Sequence, residues 1–455
     1  MADLVIRNGL VVTPAGVVTG GVAVTAGRIA QVGSDASLPR GDTEVDAGGN
    51  CVLPGVVDPH AHLHRVGEGS ELPFSEAIKT ESVTGAVSGT TTVVSTAYSP
   101  IEAPKQLSAL RELREASAGN SFINFKFNTI IFYDSHIEEM PELVKDGFNI
   151  FKFLMGYSGE EAAALNLRAL DWADFYKAAE MIARIGPPAI QLIHCEEPEI
   201  GHLLAERFKA EGRTELTAWE ESRPAVTEGM HAFTAGLIAY QLGSPLYIVH
   251  IASEESIDAV HYMRTKGVNV WAETCSHYLA LTKHSPYGPL AKCSPPLRDE
   301  AIQKLLWKAI SNGTIQTVGS DQCMITRAAK EKGIWQAAPG VGVMGSVFPV
   351  MITDGVGKGR ITIEQLVKLC SENPARAFGM YPQKGVLSPG SDADIIIVDP
   401  NKEWVITAQN LKSALEYCCF EGYKVKGKVL KTFVGGELVA EDGELVASTP
   451  HGSYV

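Results

Sequence analysis

Gly147-Phe148-Asn149-Ile150-Phe151-Lys152-Phe153-Leu154-Met155-Gly156-Tyr157 is the stretch on which the fold turns. Ile150, Phe151, Phe153, Leu154 and Met155 show no polar alternation. Such a run suits a strand covered on both faces, as in a parallel sheet. In its middle stands Lys152. An ammonium group rarely sits there unpaired, because desolvation disfavours the charged form and drives the pKa down. Lys152 is therefore expected to be neutralised, paired or modified, the alternative being a stem that lets the amine snorkel to a rim.

Outward from this strand, the middle of the chain reads as strand then helix, repeatedly. Apolar runs at 55–57, 91–95, 123–129, 150–155, 189–193, 246–249, 268–272 and 315–318 are separated by helix-like segments. In residues 172–185, for example, Phe175, Ala178, Ala179, Ile182 and Ala183 recur at helical spacing. Eight strands alternating with helices predict an α/β chain with a (β/α)8 TIM barrel. Short β-like runs with glycine turns fill residues 1–54 and return at 393–398, 425–429 and 431–434. Both ends are therefore expected to build one small β-sandwich domain from 1–54 and 385–440, around a barrel at 55–384. A C-terminal tail, 441–455, follows. Its stretch 447–455 lacks apolar periodicity and is expected to be loosely ordered or to drape over a neighbouring subunit.

Composition bounds the function. In 455 residues, 45% are hydrophobic and 20% charged, as in a soluble globular enzyme. The net charge of -14 argues against nucleic acid or an anionic membrane as the main partner. No run is long enough to span a membrane, and the first residues lack a basic segment followed by an apolar core, so a cytoplasmic location is expected. The eight cysteines form no CxxC pair, and reduced thiols are the default.

The polar residues cluster at the expected strand ends. His60 and His62 lie two apart at the end of the first strand, so their side chains share a face and can hold one ion. His194, His250 and Asp321 end the fifth, sixth and eighth strands, and in a barrel all these ends face one mouth. Each histidine taken alone is more often a hydrogen-bonded core residue. Four of them with an aspartate at one mouth predict metal. Two divalent ions need more bridging negative charge than one aspartate supplies. A neutral Lys152 amine can add carbon dioxide and become a carboxylate-like carbamate able to bridge them.

With these residues in hand, the chain resembles the amidohydrolase superfamily. The likeness is to its cyclic amidases, the D-hydantoinases and dihydropyrimidinases with their allantoinase and dihydroorotase cousins. The matching pieces run in family order: Gly55 to His62, Phe151 to Tyr157, His194-Cys195-Glu196-Glu197, Pro245 to His250, Glu273-Thr274-Cys275, Cys293 to Arg298, Gly319 to Cys323, Asn373-Pro374-Ala375-Arg376 and Gly390 to Asp394. The resemblance implies that His60, His62 and Asp321 hold the more buried ion and His194 and His250 the second, with N6-carboxylated Lys152 bridging both. It gives Tyr157 the oxyanion contact and Ser294 a backbone contact to the substrate amide. A homo-oligomer, tetramer or dimer, is implied in the same way. Zinc leads the possible metals, and manganese and cobalt suit the same ligands.

Departures concern the substrate. Gln322 stands where hydantoinases usually carry histidine, and Gln336 falls where the family places a substrate-binding asparagine. His64 and Arg65 occupy the region where dihydroorotases bind a carboxylate; they are candidates for substrate contact, with a rim pair as the alternative. The expected reaction is hydrolytic opening of a cyclic amide of hydantoin or dihydropyrimidine type, with an allantoinase or cyclic imide hydrolase as the alternative. In either, Asp321 moves the proton. A dihydropyrimidinase-like scaffold without activity is the non-enzyme rival, disfavoured because every ligand is retained. Ring choice is expected to lie in the loops 65–74, 97–104 and 158–165.

Overall fold

The computed structural model describes residues 1–66, 73–97, 104–159, 162 and 167–455, without the side chains of residues 65 and 66. The eight strands are β1 (Val56–Val66), β2 (Thr90–Ala97), β3 (Asn124–Ile130), β4 (Ile150–Leu154), β5 (Ile190–His194), β6 (Leu246–Ile248), β7 (Val270–Cys275) and β8 (Thr317–Gly319). They pair in parallel in chain order. A short β9 (Gln322–Ile325) follows β8 and pairs with β1, Gln322 opposite Ala61 and Cys323 opposite His62. The closing segment thus changes partner half-way, from β7 to β1. Ser320 and Asp321 lie at that seam.

Parity along β4 explains the opening stretch. Ile150 packs inside the barrel with Val57, Val94, Leu192, Tyr247 and Phe378. Phe151 and Phe153 turn the other way, to the layer beneath the helices. There Phe153 meets the ring of Phe175 at 5.3 Å, edge to face. Lys152 shares the inward side with Ile150 and is fully buried, so it does not snorkel. The helix Trp172–Ile185 starts at a capping box. Asp171 accepts from the backbone of Ala173 and Asp174, and the Asp174 side chain accepts from the Asp171 N–H.

The chain ends meet as composition suggested. Five N-terminal strands, from Ala2–Thr13 to Cys51–Pro54, and four C-terminal ones, from Ile395–Ile406 to Glu444–Leu445, form one nine-stranded mixed sheet. The two sets join where Cys51–Pro54 runs antiparallel to residues 395–398. Leu4, Ile6, Val22, Val24, Ile395, Ile397 and Phe433 share one core there. Among the described residues, no helix is long and apolar enough to cross a membrane.

Residues 452–455 are not loosely ordered, because they have a seat on the barrel of their own chain. Phe125 N–H donates to Ser453 O at 3.0 Å and Val455 N–H to Phe125 O at 3.1 Å, making a single parallel bridge to β3. Tyr454 lies among Phe125, Phe127 and Phe148, with ring centroids 5.4–5.7 Å away, and the Arg114 guanidinium is 5.4 Å from its ring centre. Gly452 permits the approach, since a Cβ there would stand 1.9 Å from Ile123 O. Asn124 carries the connection onward: its Oδ1 accepts from Ser453 N–H, and its amide donates to Asp394, which also accepts from Lys384 Nζ at 2.7 Å. The segment therefore ties the barrel to the terminal sheet. Tyr454→Ala is expected to destabilise the chain by about 3 kcal/mol. Denaturant unfolding checks this, and an unchanged midpoint would mean the aromatic seat is unimportant.

Candidate functional site

β1 continues past the barrel layer, and its two-residue repeat sets His60, His62 and His64 on one side. His60 is fully buried, His62 and His64 less so. Asp321 reaches the same place from the closing seam. Its backbone has φ +50°, and its N–H donates to His60 O at 2.9 Å. Aspartate tolerates this left-handed conformation better than most residues. Asp58 secures the seam from below, its Oδ1 accepting from the N–H of Ser320 at 3.0 Å and of His60 at 3.4 Å.

Two groups of donor atoms result. His60 Nε2 and His62 Nε2 are 3.1 Å apart, and Asp321 Oδ1 lies 3.6 and 3.4 Å from them. Across the mouth, His194 Nδ1 and His250 Nε2 are 2.8 Å apart. Lys152 Nζ is 2.9 Å from His60 Nε2, and the His60 and His250 rings lie 5.5 Å apart, so the two groups adjoin. Ring nitrogens crowded this closely, with a carboxylate facing them, have the pattern of ligands turned toward a shared cation. His60, His62 and Asp321 could hold one ion, their donor atoms lying within 4.8 Å of one another. Gly156 leaves room for the second pair, because a Cβ there would stand 2.3 Å from His194 Nε2.

The electrostatics agree. Burial pulls His60 down to about 3 and His62 to about 4, and drives His250 well below its usual value. At neutral pH these imidazoles are uncharged, as ligation requires. Burial works to raise Asp321, but His60, His62 and His250 outweigh it and hold the carboxyl below its ordinary range. Burial lowers the Lys152 amine from 10.5 to about 8. Its neutral fraction at pH 7 is then roughly 300-fold larger than that of a solvated lysine.

Other expected site residues fall in varied places. Tyr157 is half-buried, its ring 5.1 Å from that of His194. Ser294 is buried. His64 is half-buried, and burial lowers its pKa. The Arg65 side chain lies outside the described residues, as do most of the loops 65–74, 97–104 and 158–165. The Gln336 side chain is exposed on the surface, with no hydrogen bond to the donor atoms among the described residues. Gln322 has a structural task. Its amide donates to Glu81 at 2.7 Å, and its oxygen accepts from the N–H of Val343 and Met344 at 2.5 and 2.9 Å.

Three carboxylates behind the donor atoms, Asp58, Glu196 and Glu273, were given no role from the sequence. Glu196 faces His194 Nε2 at 3.1 Å, on the side away from His250. Burial raises Asp58 to about 7 and Glu273 to about 8. The signal was present, since Asp58 and Glu196 stand two residues from His60 and His194, and Glu273 lies in a buried strand.

Known proteins share this arrangement of chain. A model of the Amidohydrolase family matches residues 250–439. The chain is 32% identical to a D-hydantoinase of Ralstonia pickettii, with 100% of this chain and 98% of the relative covered. It is 30% identical to an allantoinase of Escherichia coli, over 100% and 98%. A crystal structure of a D-hydantoinase superposes with a TM-score of 0.91 at 30% identity, covering 100% of this chain and 98% of that one. Identity above 30% along the whole chain, on the same barrel and terminal sheet, leads to one conclusion: this chain belongs to the amidohydrolase superfamily, in its cyclic amidase branch.

Proposed function

We propose that this chain hydrolyses the ring of a cyclic amide of hydantoin or dihydropyrimidine type at a two-ion centre. The observation that carries the reading is Lys152, fully buried with its pKa lowered by burial, its Nζ 2.9 Å from His60 Nε2 where the His60–His62–Asp321 group adjoins the His194–His250 pair. Carbon dioxide could add to its neutral Nζ with loss of one proton, and the resulting carbamate would bring a carboxylate-like negative charge to the ions that His60, His62, His194, His250 and Asp321 would hold. When bound, two divalent ions, zinc first and manganese or cobalt as substitutes, supply hydroxide at neutral pH and polarise the substrate carbonyl.

The chain's own residues do the rest. Asp321, ionised and facing His60 and His62, accepts the proton of the attacking water and returns it to the leaving ring nitrogen. Tyr157, beside His194, donates its hydroxyl to the developing oxyanion. Ser294 holds the substrate amide through its backbone. His64 and Arg65 are the candidates for a substituent on the ring.

An allantoinase reading has its own support in the full-length Escherichia coli relative. A panel of hydantoin, 5-substituted hydantoins, dihydrouracil, allantoin, dihydroorotate, succinimide and phthalimide decides between them. Turnover of hydantoin or dihydrouracil above the others is expected. Turnover of allantoin or an imide alone would replace this reading, and silence on every ring would overturn it. We place the protein in the cytoplasm as a homo-oligomer. Val226, Met230, Leu237 and Tyr240 form an exposed apolar stripe on the helix Ala225–Leu242, with Tyr262 beside it, a surface suited to another copy.

A further inference from the structure

Glu273 is fully buried at the end of β7, and strands on both sides build its seat. Its Oε2 accepts from Tyr247 OH of β6 at 2.7 Å. That hydroxyl lies 2.8 Å from Thr317 Oγ1 of β8. Gly319 leaves the space, since a Cβ there would come within 3.2 Å of Glu273 Cδ. The other oxygen, Oε1, stands 3.2 Å from His60 Nδ1 and 3.2 Å from the backbone nitrogen of His250. One carboxylate oxygen therefore touches a donor residue of each group. His250 needs the help, because its φ of +42° is unfavourable for a residue with a side chain.

We infer that Glu273 is a positioning residue that couples the two halves of the metal centre, an inference that rests on the two-ion reading above. An ion held at His60 Nε2 would need the imidazole proton on Nδ1, where it faces Oε1 as a donor while the same oxygen accepts from the His250 N–H. The proton on Nδ1 leaves the Nε2 lone pair free and aimed at Lys152, His62 and Asp321. The same oxygen pins the backbone turn that aims His250 Nε2 at His194. Losing it frees the tautomer of His60 and the turn of His250 together. An outer hydrogen bond of this kind is typically worth 10- to 100-fold in metal affinity.

Glu273→Gln keeps shape and volume. The test is zinc affinity of the folded, metal-stripped protein by chelator competition at 25 °C, alongside its metal-free thermal midpoint. Glu273→Gln is expected to bind zinc about 10- to 100-fold more weakly at both positions. Tyr247→Phe, which keeps the carboxylate but removes its lock, should lie between that variant and wild type. A purely structural Glu273 would lower the thermal midpoint and leave the affinity alone; folded Glu273→Gln with two ions held at wild-type affinity overturns the inference. Should Glu273→Gln not fold, Tyr247→Phe decides in the same way, unchanged affinity overturning it. Wild-type protein that takes up no zinc would overturn the two-ion reading itself, and with it this inference.

Discussion

Lys152→Ala is expected to lower ring-opening turnover by at least about a thousandfold and to leave the chain short of its metal complement. In the proposed centre the lysine supplies the bridging group beside His60, and alanine offers nothing to replace it. A small carboxylic acid added in excess should restore part of the activity, because it fits the vacated space and presents the same two oxygens. In metal-free protein the sign reverses. Burial lowers the Lys152 amine from 10.5 to about 8, so between those values the unfolded chain binds more protons than the native one. Stability attributable to this group rises with pH through that window and is lost as pH falls to about 8. Metal-free Lys152→Met should therefore be more stable than metal-free wild type at pH 7 by up to about 3 kcal/mol, the gap closing near pH 10.5. A Lys152→Ala protein that is fully loaded and active would end the proposed mechanism.

Asp321→Asn is the second large effect. Asparagine accepts the left-handed backbone at this position as readily as aspartate, so the fold of the closing seam survives. Bound metal is measured with the rate, because Asp321 also belongs to the donor group. The amide cannot take a proton from water or return one to the ring nitrogen. A fall in kcat of about a thousandfold or more is expected, with KM changed only a few-fold. Steady-state kinetics on the best ring substrate checks it. A modest loss confined to KM would make Asp321 a binding group and transfer the proton-handling role elsewhere.

The barrel and the ligand cluster were legible because both depend on patterns local to the chain. Apolar runs such as 150–155 set strand positions, and the histidines and Asp321 stood at strand ends. The helix Trp172–Ile185 was legible for the same reason, its apolar face repeating at helical spacing. What could not be seen is what depends on contacts between distant residues. The switch of the closing segment from β7 to β1 at Asp321 is such a case, since no period marks it. Glu273 is another: its value lies in meeting His60 and His250 at once, and a lone glutamate at a strand end does not announce that. Residues 452–455 carry no repeat, yet Tyr454 finds three phenylalanines brought together by the fold. Gln322 looked like a change in the site and proved to be a brace between Glu81 and the backbone at 343–344.

The most direct test of the central claim is a titration of metal back into metal-free wild-type protein with bicarbonate present, ring-opening rate being followed against ions bound per chain. The account predicts negligible turnover without metal and a rate that climbs until two ions are bound. Full turnover in metal-free protein, or a maximum reached at one ion with no change at the second, would contradict it.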